Sequence, residues 1–147
     1  MPFININGIQ LHYEIEGNGT PLLIISGTGA DLRNPRPDYP TFEGFQVLRY
    51  DQRGLGQTAS PKGTYTMGDY ADDAASLLDN LEIDRINVIG ISFGGMVAQH
   101  LVTRFPNKVN KLVLACTSPG GNNFSSFDLR KIVSSSKNQI ESWLQLL

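Results

Sequence analysis

The feature that most limits the fold of this chain is a series of strand-like stretches that are apolar at successive positions. Four such stretches occur: PLLIISG, FQVLRYD, INVIGIS and KLVLACT. A strand of this kind belongs inside a sheet that is covered on both sides, whereas a half-exposed strand alternates apolar and polar residues. Helix-like segments separate the last three stretches, and this order predicts a mostly parallel α/β sheet with right-handed crossovers.

Local signals place the ends of the two helix-like segments. The first covers residues 66–83, where Thr66 and Asp69 form a near capping box at its start. The second covers residues 93–105 and stops before Pro106, because the residue before a proline is biased away from helical backbone. Both segments carry apolar residues at helical spacing, so each is predicted to lie on the sheet.

The beginning of the chain has a different pattern. The stretches FINING and LHYEIEG alternate apolar with polar residues on either side of Asn7-Gly8. Asn-Gly between alternating stretches is a strong hairpin signal, so the chain is predicted to open with an antiparallel pair of strands. Residues 33–40 contain three prolines and predict an irregular loop rather than a domain linker.

Length, charge and cysteine content limit the cellular locations and the classes of partner that are expected. The chain has 147 residues, 18% of them charged, and a formal net charge of −2. This length favours one domain, and the charge disfavours nucleic acid and anionic membrane as partners. No apolar run approaches the roughly 20 residues of a membrane span, and the first residues do not resemble a signal peptide. Cys116 is the single cysteine, which fits a cytoplasmic location.

A catalytic motif lies where the third apolar stretch meets the second helix. The sequence GISFG, residues 90–94, places Ser92 on a turn between a buried strand and a helix. Such a turn must be very tight, and Gly90 and Gly94 remove the side chains that would collide across it. The helix directs its free N–H groups and positive dipole end at any negative charge that forms above the serine. We therefore interpret Ser92 as a nucleophile; the alternative is an ordinary glycine-rich turn.

With this motif in place, the sequence resembles the α/β-hydrolases, in the group of small esterases, lactonases and cofactor-free perhydrolases. Three further stretches carry the likeness: LLIISGTGAD, YDQRGLGQT and FPNKVNKLVLACTSPGG. They match the strand with its oxyanion loop, the D-x-R-G-x-G-x-S turn, and the helix end with the strand that follows the elbow. All occur in the family's order over residues 3–120. The resemblance is specific to the family but not to a substrate.

The resemblance implies roles for particular residues. Ser92 would attack a carbonyl carbon, and the backbone N–H groups of Thr28 and Phe93 would form the oxyanion hole. A serine at the elbow disfavours the branches of the family that use an aspartate there. Where the family usually has histidine, this chain has Ser26, so the support of the oxyanion loop is altered. Gly27 keeps the flexible position of that loop.

Two further polar features lie at the carboxyl ends of predicted strands. Asp51 and Arg53 could order the loop around the pocket, but we favour a structural ion pair and hydrogen-bond set that fixes a glycine-rich turn. They are not counted as catalytic. Cys116 is interpreted as a buried small hydrophobe.

A serine nucleophile needs a base, and neither histidine of the chain is a candidate. His100 lies eight residues beyond Ser92 on one helix, about 12 Å further along its axis. His12 is expected to be a half-exposed residue of the opening hairpin, at the far edge of the sheet. The resemblance implies that the acid and base lie on later strand ends, so the chain is expected to be an amino-terminal part. Residues 1–120 would form the incomplete core, and residues 121–147 the start of a helical cap.

Two functional hypotheses follow from this reading. In the first, the chain is part of a serine hydrolase that acts on a small ester, lactone or related acyl substrate, with no cofactor. In the second, it is a catalytically silent fold that is used for binding or left over from an interrupted gene.

No metal is expected, since the sequence has no H-E-x-x-H or C-x-x-C. The missing last strands would leave one sheet edge exposed, so self-association is a further expectation.

Overall fold

A computed structural model describes residues 2–33 and 42–121 and contains one sheet of six strands. The strands lie in the order β1-β2-β4-β3-β5-β6. Their bounds are Phe3–Ile6, Ile9–Gly17, Thr20–Ile25, Phe45–Tyr50, Ile86–Ile91 and Val109–Ala115 for β1 to β6. Strands β4, β3, β5 and β6 are parallel, β2 pairs antiparallel with β4, and β1 pairs antiparallel with β2. The predicted α/β class with a mostly parallel sheet is confirmed.

The opening hairpin forms where the sequence predicted it. Ile6 pairs with Ile9 across a two-residue turn, and both turn residues have positive φ, +46° at Asn7 and +75° at Gly8. This is the backbone that a two-residue hairpin of matching twist requires, and Asn-Gly adopts it at little cost. The hairpin places His12 on β2, where it pairs with Phe3 of β1.

Two helices cross between the parallel strands. Helix α1 covers Met67–Asn80 and α2 covers Phe93–Arg104. The predicted capping box is complete, because the Thr66 hydroxyl accepts from the Asp69 N–H and the Asp69 carboxylate accepts from the Thr66 N–H. Helix α2 ends just before Pro106, and a short 3-10 turn, Pro106–Lys108, leads into β6.

The main core lies between both helices and one face of the sheet. Alternate strand residues such as Leu23, Ile25 and Leu48 point into it and meet buried residues of α1 and α2. A smaller cluster of Leu22, Ile24 and Val47 lies on the opposite face. Strands β3 and β4 are therefore buried on both faces, which explains why their sequences are apolar at successive positions.

Strand β6 is the edge of the described sheet. It pairs with β5, and among the described residues it has no strand on its other side. Val113 and Leu114 are 53% and 44% exposed, although the apolar sequence of this strand suggested an interior position. The predicted proline loop lies almost wholly outside the described residues, as does the predicted cap segment, residues 121–147, apart from residue 121. In the part of the chain that is described, neither helix is long and apolar enough to span a membrane.

Candidate active site

Ser92 lies on a sharp turn between β5 and α2. Its backbone has φ +52° and ψ −117°, a conformation that residues with a side chain rarely adopt. Strain of this kind costs of order 1–3 kcal/mol and persists only where the surroundings enforce it. Two hydrogen bonds do so here: the Ser92 N–H donates to the Ala115 carbonyl at 2.9 Å, and the Thr117 hydroxyl donates to the Ser92 carbonyl at 2.7 Å.

The glycines around Ser92 are required by close backbone approach. A Cβ at Gly94 would lie 2.1 Å from the Ile25 carbonyl oxygen, and one at Gly90 would lie 2.7 Å from the Gly94 carbonyl oxygen. The sequence motif predicted both glycines. It did not predict Gly95, where a Cβ would lie 2.6 Å from the Thr117 side chain, although the doubled glycine after Phe93 was visible. The elbow therefore packs against the ends of both β3 and β6.

The hydroxyl of Ser92 is not used to hold the helix. Ser92 occupies the N-cap position of α2, where serine usually accepts a hydrogen bond from the first turn, but here its side chain makes no capping bond. The residue is exposed. Phe93 is the first residue of the helix, so its N–H has no acceptor within the helix. The serine hydroxyl and the positive end of the helix dipole are thus available to the same ligand.

The loop that follows β3, residues 26–33, approaches the elbow and is called the oxyanion loop below. A Cβ at Gly27 would lie 3.2 Å from the Ser92 Cβ and 3.8 Å from its Oγ. Thr28 is the next residue and is exposed. The structure therefore brings the two predicted oxyanion donors, Thr28 and Phe93, to segments that flank Ser92.

Three aromatic side chains pack in a row between the start of α1 and the first residue of α2. Phe93 and Tyr70 meet edge to face at 5.1 Å, and Tyr70 and Tyr65 do so at 6.1 Å. Burial raises the pKa of the Tyr70 phenol. The Arg53 guanidinium lies 5.5 Å from the centre of the Tyr65 ring. These contacts hold the side chain of Phe93, the residue that follows Ser92, against α1.

The predicted ion pair between Asp51 and Arg53 is wrong, since each residue pairs elsewhere. Arg53 donates two hydrogen bonds of 2.7 Å to the buried Asp73 carboxylate on α1, and this interaction raises the pKa of Arg53. The Asp51 carboxylate lies 3.0 Å from the His12 ring Nδ1. Strand β4 ends at Tyr50 and Arg53 already lies in a turn, so the two side chains do not share a strand face: Asp51 faces the hairpin and Arg53 faces α1.

The prediction of a half-exposed His12 is also wrong. Its side chain is fully buried against Asp51, and its backbone N–H donates to the Thr58 hydroxyl. The strand order nevertheless keeps it far from the serine. Strand β2 is three strands from β5, which is about 14 Å at ordinary strand spacing. His100 is an exposed residue of α2, eight positions beyond Ser92. Neither histidine reaches the serine hydroxyl.

Two other expectations concern cysteine and metal. Cys116 is exposed, with φ +50°, so its interpretation as a buried hydrophobe is wrong. The strand it follows, β6, is an edge strand among the described residues, which leaves the end of this strand open to solvent. Within residues 2–33 and 42–121, no group of three or more His, Cys, Asp or Glu side chains could hold a metal ion.

The fold and this site define a class of protein. Its features are a mostly parallel sheet, a strained serine between a strand and a helix N-terminus, and the oxyanion loop that follows the neighbouring strand. The family model for the alpha/beta hydrolase fold matches residues 20–145. The chain belongs to the α/β-hydrolase family. The predicted family is thereby confirmed, and its relatives include hydrolases.

Three similar proteins illustrate the relationship. A poly(3-hydroxyalkanoate) depolymerase of Ectopseudomonas oleovorans is 37% identical over 102 residues, which cover 69% of this chain and 36% of the relative. The enol-lactonase of Burkholderia xenovorans has a solved structure with a TM-score of 0.72 and 36% identity, over 79% of this chain and 46% of that one. A hydrolase of Pseudomonas aeruginosa has a TM-score of 0.72 and 30% identity, over 90% and 56%. The chain spans less than half the length of the first two.

Proposed function

We propose that the chain contributes the nucleophile and oxyanion hole of a serine hydrolase that acts on a small ester, lactone or related acyl compound. The observation that carries this proposal is the strained, exposed Ser92, which occupies a helix N-cap without capping it. A serine in this position has its hydroxyl free for a substrate. The lactone substrate class of the enol-lactonase relative is consistent with the same chemistry.

In the proposed reaction the Ser92 Oγ attacks the carbonyl carbon of the substrate while its proton passes to a base. The carbonyl oxygen becomes an oxyanion and accepts hydrogen bonds from the N–H groups of Thr28 and Phe93. The bond to the leaving alcohol then breaks, the alcohol takes the proton, and an acyl-serine remains. Water hydrolyses this ester in a second attack and restores the serine. We place the base and the acid that orients it outside the described residues, because neither histidine of the chain reaches Ser92.

The first experiment is covalent labelling of the 147-residue chain with a fluorophosphonate, followed by peptide mass spectrometry. We expect slow labelling confined to Ser92, because a serine without a base loses a large share of its rate. The Ser92→Ala variant is the control and should not be labelled. Labelling at the speed of an intact serine hydrolase would mean that a base within the chain has been overlooked. Labelling of other serines with Ser92 untouched would contradict the proposed nucleophile.

The second candidate is a catalytically silent fold used for binding, and the distance of both histidines from Ser92 favours it for the chain in isolation. The two candidates differ in one observable. Addition of a polypeptide that carries an acid and a histidine should accelerate labelling of Ser92 if the chain is part of a hydrolase. A binding protein would show no such acceleration. We further propose that the protein is cytoplasmic and that its partner is a small-molecule substrate.

The exposed edge of β6 leads to a prediction about assembly. We expect the 147-residue chain to self-associate through this edge, where backbone N–H and C=O groups lie beside the exposed Val113 and Leu114. Sedimentation velocity over a range of concentrations measures it. The double substitution Val113→Lys and Leu114→Lys should reduce association. Phe3→Lys is the control, because Phe3 is exposed on the opposite edge strand. A monodisperse monomer at all concentrations would contradict the prediction.

A further inference from the structure

The oxyanion loop is held at both ends by two consecutive residues that follow β4. The side-chain N–H of Gln52 donates a hydrogen bond to the Ser26 carbonyl at 2.8 Å. The Asp51 Oδ1 accepts one from the Leu32 N–H at 2.7 Å. Thr28 lies between these two anchors. Its backbone position therefore depends on the end of a neighbouring strand and not on the loop sequence alone.

Asp51 is itself fixed from two further directions. Its Oδ2 accepts from the Gln57 N–H at 2.9 Å and lies 3.0 Å from the His12 Nδ1. The turn around it is so tight that a Cβ at Gly56 would lie 2.2 Å from the same oxygen. Because the carboxylate is fully buried, each of these partners offsets the cost of removing its charge from water. The anchor for Leu32 thus cannot shift without breaking several bonds.

Gln52 is arranged in a way that folding alone does not explain. Its side chain is 1% exposed, and its Oε1 has no hydrogen-bond partner among the described residues. An amide oxygen buried in this state costs free energy, so an apolar side chain of similar size would suit the core at least as well. What the amide supplies is the hydrogen bond to the Ser26 carbonyl, at the point where β3 becomes the oxyanion loop.

We infer that Asp51 and Gln52 are positioning residues that fix the oxyanion loop so that the Thr28 N–H faces the oxyanion formed at Ser92. The inference rests on the proposed function, since the position of this N–H matters to catalysis only if Ser92 is attacked or acylated. An oxyanion donor must lie about 2.7–3.1 Å from the developing charge, and a displacement of about 1 Å can cost about a hundredfold in rate. A loop clamped at both ends meets this requirement before substrate arrives.

The decisive variant is Gln52→Met in the 147-residue chain, with Gln46→Met as its matched control. Asp51→Asn is less suitable, because its NH2 group would face either the Leu32 or the Gln57 N–H, donor against donor, and this is expected to disturb the turn. Gln52→Met removes one hydrogen bond and an unpartnered oxygen at nearly constant volume. Gln46 lies on β4, at its amino-terminal end, whereas Gln52 follows the carboxyl-terminal end of that strand; Gln46 is half-buried and far from Ser92.

Three readouts are measured for each variant: hydrogen exchange at the Thr28 amide, saturation kinetics of fluorophosphonate labelling at Ser92, and the melting temperature. For Gln52→Met we expect faster Thr28 exchange and a maximal labelling rate about ten- to a hundredfold lower, with half-saturating concentration and melting temperature unchanged. A purely structural role would instead lower the melting temperature and leave the maximal rate per folded molecule intact. Gln46→Met should match the unmodified chain in every measurement.

The outcomes separate this inference from the proposed function. Unchanged Thr28 exchange and an unchanged maximal rate in Gln52→Met would overturn the positioning role while leaving Ser92 as the nucleophile. Absence of any labelling at Ser92, both in the unmodified chain and after addition of a polypeptide that carries an acid and a histidine, would overturn the proposed function. In that case Thr28 exchange still decides whether Gln52 holds the loop, and unchanged exchange would overturn the clamp as well.

Discussion

Ser92→Ala is expected to reduce ester hydrolysis by about 10⁴- to 10⁶-fold in a complex or longer polypeptide that supplies the missing base. The substitution removes the atom that forms the acyl-enzyme and leaves every other group in place. The fold should survive, because the Ser92 side chain makes no capping hydrogen bond and alanine keeps the Cβ that already occupies this turn. Hydrolysis of a chromogenic ester, measured alongside the melting temperature, tests both parts.

Cys116→Ala is the matched control for this prediction. Cys116 carries the chain's single thiol and, like Ser92, follows a parallel strand with a positive φ. Because the thiol is exposed, we expect a stability change within about 0.5 kcal/mol and unchanged turnover, as for most surface substitutions. Loss of turnover in Cys116→Ala with retention in Ser92→Ala would require the elbow interpretation to be withdrawn.

The elbow could be predicted from sequence because its geometry depends on residues that are adjacent in the chain. Gly90, Ser92 and Gly94 lie within five residues, and the strand before them and the helix after them have strong periodic signals. The hairpin at Asn7-Gly8 and the capping box at Thr66 were predictable for the same reason. In each case the residue types and the backbone conformation they favour are enough to define the local structure.

The polar pairs were not predictable in this way, because their members meet only through the sheet topology. His12 and Asp51 are 39 residues apart, and they meet because β2 pairs with β4 in one particular antiparallel register. Arg53 and Asp73 are 20 residues apart and belong to a turn and a helix. One signal for the second pair was present in the sequence: Asp73 lies among the apolar positions of α1, where a buried carboxylate needs a cationic partner.

The base is the part of the site that neither the sequence nor the fold supplies within the described residues. Sequence reasoning excluded His100 by its distance along α2 and His12 by its expected place at the far sheet edge. The structure agrees with both positions but gives His12 a different environment, since it is buried with Asp51 rather than half-exposed. His12 lies on β2, three strands away from the strand that precedes the serine, and it contributes through Asp51 to the anchor of the oxyanion loop.

Gly94→Ala is expected to destabilise the chain by more than about 4 kcal/mol, which is a large part of the stability of an ordinary domain. The added Cβ would lie 2.1 Å from the Ile25 carbonyl oxygen and 2.5 Å from the Ser26 carbonyl oxygen. Both contacts are with backbone, so no side-chain rotation can relieve them. Ile25 is held by its pairing with β5, and the Ser26 carbonyl by Gln52, so the whole end of β3 would have to move.

Gly68→Ala is the matched control for this substitution, because Gly68 also lies in the first turn of a helix without a positive φ. There the nearest atom to an added Cβ is the Thr66 Oγ1 at 3.4 Å, an ordinary van der Waals contact. Alanine has the higher helix propensity, so we expect Gly68→Ala to be neutral or to stabilise by up to about 1 kcal/mol. Urea unfolding at low protein concentration, followed by circular dichroism, gives both free energies. A Gly94→Ala chain within about 1 kcal/mol of the unmodified one would show that the elbow does not pack against β3 as described, and the placement of Ser92 beside the oxyanion loop would be wrong with it.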